Sequence, residues 1–124
     1  GGLNAHLLGR MSDSQKLLLE GDLIPPDELP KTKIECKSLK KISFSSFLTG
    51  NKTLDDWIDQ AESKDKVWFL IFKINNRGTF VGMNEFHFNK FTINSNYISY
   101  NKYRIIPMDG FFENNKFKIL ELNS

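Results

Sequence analysis

Lys31-Thr32-Lys33-Ile34-Glu35-Cys36-Lys37-Ser38 is the stretch on which the fold turns. Side chains alternate across a β-strand, so Ile34 and Cys36 share one face while Lys33, Glu35 and Lys37 share the other. The apolar face requires a core beneath it. The charged face sets a carboxylate and an ammonium two residues apart, about 7 Å along the strand. The stretch therefore reads as a strand over Lys31 to Ser38 with one buried face and one chemically equipped face.

Upstream, Gly21-Asp22-Leu23-Ile24 reads as the start of a short strand, and Pro25, Pro26 and Pro30 punctuate the turn that follows. Pairing that strand with Lys31 to Ser38 would bring Asp22 beside Glu35, and Gly21 permits close backbone approach there. Downstream, Ser43 to Leu48 has room for one helical turn. Thr53 to Ser63 is predicted as a helix capped by Thr53, with Leu54, Trp57, Ile58 and Ala61 on one face and Gln60 on its flank. Val67 to Ile74 is an almost unbroken apolar run, which suits a central strand covered on both sides. Asn75-Asn76-Arg77-Gly78 is a turn returning through Thr79 to Met83 as a hairpin. A short helix is expected within Asn84 to Phe91. Asn96 to Tyr100, Tyr103 to Pro107 and Lys116 to Leu122 are expected as strands. This order points to an α/β fold, a mixed sheet flanked by helices with a β-rich C-terminal extension.

The chain's 124 residues fit one domain. With 40% hydrophobic and 26% charged residues it belongs to the globular class, and 11 phenylalanines predict an aromatic core. A formal charge of +2 is too small to argue for nucleic acid by itself. One cysteine excludes an internal disulfide and fits a reducing, cytoplasmic setting. No apolar run approaches the roughly 18 residues needed to span a bilayer, so no membrane partner is expected.

Asp22, Glu35 and Lys37 are the residue types that phosphodiester hydrolysis demands. One or two carboxylates hold Mg²⁺, with waters and the substrate phosphate completing its shell. A lysine alongside orients or deprotonates water, or stabilises the charged transition state. The sequence here resembles the restriction-endonuclease-like PD-(D/E)xK nucleases. It is most similar to the small phage and archaeal Holliday-junction-resolvase-like members, in which an Ile-Glu-Cys-Lys strand precedes a Gln-Ala-Glu helix and an apolar strand. The matching residues are Asp22, Ile34-Glu35-Cys36-Lys37, Gln60-Ala61-Glu62 and Val67 to Phe72.

The resemblance implies a single nuclease domain over 1–124 with a catalytic core at about 20–83. It implies Asp22 and Glu35 as metal ligands, the Cys36 carbonyl as a further ligand, Lys37 as the catalytic lysine and Gln60 as a supporting polar residue. The cofactor would be Mg²⁺ or Mn²⁺. The substrate would be branched or duplex DNA, cut in phage recombination or replication by a homodimer, since two strands must be cleaved. Pro26-Asp27 offers a rival first acid, but it lies close to Glu35 and among prolines, so Asp22 is preferred. The pattern departs from many relatives in having no glutamate before Glu20.

Other residues carry simpler readings. Ser38, Lys40 and Lys41 follow the proposed site and suit phosphate contacts, as does Arg10 in the first segment with His6. Lys31 and Lys33 read equally well as the solvated lysines of a strand edge. Tyr97, Tyr100 and Tyr103 are packing residues before they are stacking platforms for single-stranded bases. The rival function is a binding or interaction domain that keeps the nuclease fold without cutting.

Overall fold

In the computed structural model, which describes residues 29–124, the strand expected over Lys31 to Ser38 is β1 (Thr32–Leu39). Thr32, Ile34 and Cys36 are buried and Lys33, Glu35 and Lys37 half-buried, so the alternation read from the sequence is the one the fold uses. A short helix α1 (Ser46–Thr49) and the longer α2 (Lys52–Ala61) lead to β2 (Val67–Ile74). There follow β3 (Gly78–Asn84), α3 (Glu85–Phe88), β4 (Ile98–Tyr100), β5 (Tyr103–Pro107) and α4 (Phe111–Leu122).

The strands form one mixed sheet in the order β1-β2-β3-β5-β4. β1 runs parallel to β2, with Lys33, Glu35 and Lys37 beside Trp68, Leu70 and Phe72. A parallel pair needs a crossover, and α1 and α2 supply it. The other pairs are antiparallel. The β2–β3 hairpin closes with Asn76 at φ 60° and Gly78 at φ 109°, left-handed conformations that asparagine and glycine tolerate.

Each sheet face has its own core. Trp68, Leu70 and Phe72 pack on one face against Leu54, Trp57, Ile58 and Ala61 of α2, the helical face anticipated from spacing. Phe69 and Ile71 pack on the other, with Ile34 and Cys36, against Phe111, Phe112 and Ile119 of α4. The phenylalanines dominate that second core: Phe69 meets Phe91, Phe111 and Phe112 with ring centroids 5.8, 5.8 and 5.3 Å apart. β2 is thus covered on both sides, as its apolar run requires. No helix among the described residues is long and apolar enough to cross a membrane.

Two local expectations are corrected. The cap of α2 is Asn51, not Thr53: the Asn51 side chain accepts from the Leu54 N–H at 2.9 Å. Lys116 to Leu122 is helix, not strand, as the second half of α4. Its buried face runs through Phe111, Asn115, Ile119 and Asn123, four residues apart each time. Two of those four are asparagines, while Phe117 points outward at 82% exposure. The apolar pattern therefore hides the helical period. Asn115 is buried because it donates to the Thr92 and Phe111 carbonyls and accepts from the Thr92 N–H. Asn123 is buried because it joins the end of α4 to the start of β1, accepting from the Lys31 N–H at 2.7 Å and donating to Thr32 Oγ1.

Candidate active site

The charged face of β1 lies on the α2 side of the sheet. Glu35 and Lys37 stand half-buried, their side chains 22% and 25% exposed, and Lys37 Nζ is 3.8 Å from Glu35 Oε1. Their neighbours across the pairing are Leu70 and Phe72, both fully buried. An apolar floor beneath two charges lowers the local dielectric and strengthens whatever they do to a bound anion. Cys36 between them is 1% exposed, its side chain in the opposite core.

Its main chain is another matter. The carbonyls of Lys31 and Leu39 accept hydrogen bonds from Val67 and Asn75, on the β2 side. Backbone groups alternate along a strand, so the odd-numbered carbonyls of β1 aim at β2 and the Cys36 carbonyl aims away from it. The Cys36 carbonyl thus faces away from β2, while the Glu35 and Lys37 side chains on either side of it rise on the α2 face. A carboxylate and a peptide carbonyl are hard oxygen donors, the kind that magnesium or manganese takes. These residues fit such an ion. Among the described residues, no three His, Cys, Asp or Glu side chains gather as a metal-binding group. Asp22, the expected second carboxylate, lies outside the described residues, as does Arg10.

Gln60 is exposed near the end of α2. Its carbonyl, rather than its amide, makes the link to β1: Lys33 Nζ donates to the Gln60 carbonyl at 2.7 Å and to that of Glu62 at 3.3 Å. A lysine on the last carbonyls of a helix satisfies orphan acceptors and suits the helix dipole. Lys33 thus anchors the helix that carries Gln60 about 7 Å along the strand from Glu35. Lys31 is also engaged, its Nζ donating to the Ser124 carbonyl at 3.1 Å. Both lysines stay at the solvent-reached edge of β1, with these exposed bonds added to it. Nothing local in the sequence signals these bonds, because all three acceptors are distant in the chain. Ser38, Lys40 and Lys41 are exposed at and just beyond the end of β1.

The tyrosines divide by environment. Tyr100 is 2% exposed, and its hydroxyl donates to Asp55 at 2.6 Å and accepts from the Asn51 N–H at 2.9 Å, tying β4 to the start of α2. Burial first, and then the Glu62 carboxylate, push the Tyr103 phenol up to about 12. Both are structural; Tyr97 alone is largely exposed.

A family model described as "Phage putative PDDEXK endonuclease" matches residues 6–122, nearly the whole chain. No curated protein and no solved structure gives a significant match.

Proposed function

This chain belongs to the phage PDDEXK endonuclease family and is, at that level, a nuclease; we propose that it is a divalent-metal-dependent DNA endonuclease selective for branched DNA. Resolution of Holliday-like junctions in phage recombination or replication, in the host cytoplasm, is the setting this reading takes. The observation that carries it is the half-buried Glu35–Lys37 pair, 3.8 Å apart on one face of β1.

Glu35, the Cys36 carbonyl and Asp22 would hold Mg²⁺ or Mn²⁺. When bound, the ion supplies Lewis-acid polarisation of the phosphate and a more acidic water. Lys37 presents an ammonium with three donors against an apolar floor, able to orient the attacking water and to stabilise charge growing on the phosphate. Glu35 fixes that ammonium by its own charge. Ser38, Lys40 and Lys41 continue from the site and hold flanking phosphates. Gln60 supports the site from α2, whose end Lys33 holds in place. Two copies, related by a twofold axis, would cut the two strands.

The test is cleavage of branched, duplex and single-stranded DNA with Mg²⁺ or Mn²⁺, by the wild type and by Asp22→Asn, Glu35→Gln and Lys37→Ala. Metal-dependent cutting that each substitution abolishes is the expected result. Cutting that survives them would place the chemistry elsewhere. DNA binding without any cutting would make this a binding domain that keeps the nuclease fold. Sedimentation with and without a junction reads the dimer.

A further inference from the structure

The α2 side of the sheet also carries a cavity of about 270 Å³, next to the β2–β3 hairpin. Its walls include Phe44, Phe47, Phe72, Phe80 and Ile98, and Arg77 is the one charged residue among its lining. The aromatic rings come from the loop after β1, from α1, from β2 and from β3. Phe44 is 72% exposed, so its ring is open to solvent at the cavity's edge.

We propose that this cavity receives an unpaired nucleobase of the DNA substrate. The proposal rests on the nuclease reading for its ligand and deepens it by supplying a basis for selecting branched DNA. Three observations support it. First, Phe72 at the cavity's inner wall is the cross-strand partner of Lys37, so its backbone lies one strand spacing, about 4.8 Å, from the backbone of the proposed catalytic lysine. Secondly, the neighbouring charge is of the right sign: Lys40 and Lys41, both exposed, directly precede Ile42 of the lining, and Arg77 is itself part of it. On α2, by contrast, Asp56 pairs with Lys52, while Asp55 and Asp59 lie towards Tyr100 and Tyr103, a side from which phosphates would be repelled. Thirdly, every base has a π-face that stacks on aromatic rings, and a lining whose only charged donor is Arg77 favours stacking over reading of base identity. A base already unstacked at a branch or bulge enters at little cost, whereas a paired base must first be extruded.

The experiment uses the full chain without divalent metal and three labelled duplexes: fully paired, carrying one extrahelical thymine, and carrying an abasic residue at that same position. The abasic probe keeps the backbone distortion and lacks only the base. Wild type should bind the thymine probe roughly 5- to 100-fold more tightly than the abasic one, the range that stacking of one base supplies. Phe44→Ala should bring the two near parity, while Phe44→Trp should keep the preference. 5-Iodouracil at the extrahelical position should crosslink to Phe44, Phe47 or Phe80. Arg77→Gln should weaken all three probes by a similar factor. Equal affinity of wild type for the thymine and abasic probes overturns the proposal, as does a preference that Phe44→Ala leaves intact. A change in sedimentation with Phe44→Ala, and none in base preference, would also overturn it by giving the cavity to a second copy. Cleavage with Mg²⁺ is scored separately, so a base preference without cleavage upholds the cavity and sinks the nuclease reading.

Discussion

At the scale of single residues, Glu35 and Lys37 were legible because strand geometry has a period of two and no other arrangement buries Ile34 and Cys36 together. Lys37→Ala should lower the cleavage rate by about 10²- to 10⁴-fold, the usual weight of a positioned proton-transfer group. It should change unfolding free energy by under about 1 kcal/mol, because the pair is long, at 3.8 Å, and still partly reached by water. Single-turnover cleavage beside urea melts would separate the two effects. A comparable loss of stability and rate would reduce Lys37 to a fastening like Lys33. Tyr103 allows a second prediction. Its folded pKa, pushed up to about 12, lies above the 10.0 of an ordinary tyrosine. Between those values the unfolded chain has lost the proton and the folded chain keeps it. Its contribution is therefore full below about pH 10 and falls away as pH climbs towards 12. Tyr103→Phe should flatten the decline of Tm over that interval, and an unchanged slope would assign the decline to other groups.

Among elements, α2 and β2 announced themselves by unmixed patterns: a helical stripe of Leu54, Trp57, Ile58 and Ala61, and an apolar run from Val67 to Phe72. The cap of α2 was legible in kind but not in position. Asn51 and Thr53 are both good capping residues, and only the bond to the Leu54 N–H decides between them. α4 was misread because its inward face alternates phenylalanine or isoleucine with asparagine. Asn123→Ala should cost about 2–4 kcal/mol, since it strands the Lys31 N–H and opens the junction of α4 with β1. Asn123→Asp, which keeps an acceptor for that N–H, should lose less. Equilibrium denaturation measures both, and equal losses would refute the role given to the Lys31 bond.

For the whole molecule, stability concentrates where both cores meet β2. Phe69 is fully buried and touches three other rings, so Phe69→Ala should cost about 3–5 kcal/mol. Against the 5–15 kcal/mol typical of a domain, that loss should lower Tm markedly and broaden exposure of the α4 side. Calorimetry would show it, and a loss below about 1 kcal/mol would mean that core is loosely packed. Phe111 and Phe112 were countable in the sequence, yet their convergence on Phe69 was not. The sequence by itself determined the local periods: which strand is half-charged, which is buried on both faces, which helix is amphipathic, and that a carboxylate and a lysine share one face of β1. Tertiary structure alone decided what joins across distance. It made β1 and β2 parallel, set Lys33 on the last carbonyls of α2, buried Asn115 and Asn123 along α4 and its cap, and formed an aromatic cavity with Phe72, the cross-strand partner of Lys37, in its wall. The physical reason is the range of the forces concerned. Strand and helix periods arise from neighbours along the chain, whereas a buried polar group or an apolar wall is stabilised only by partners that folding brings to it.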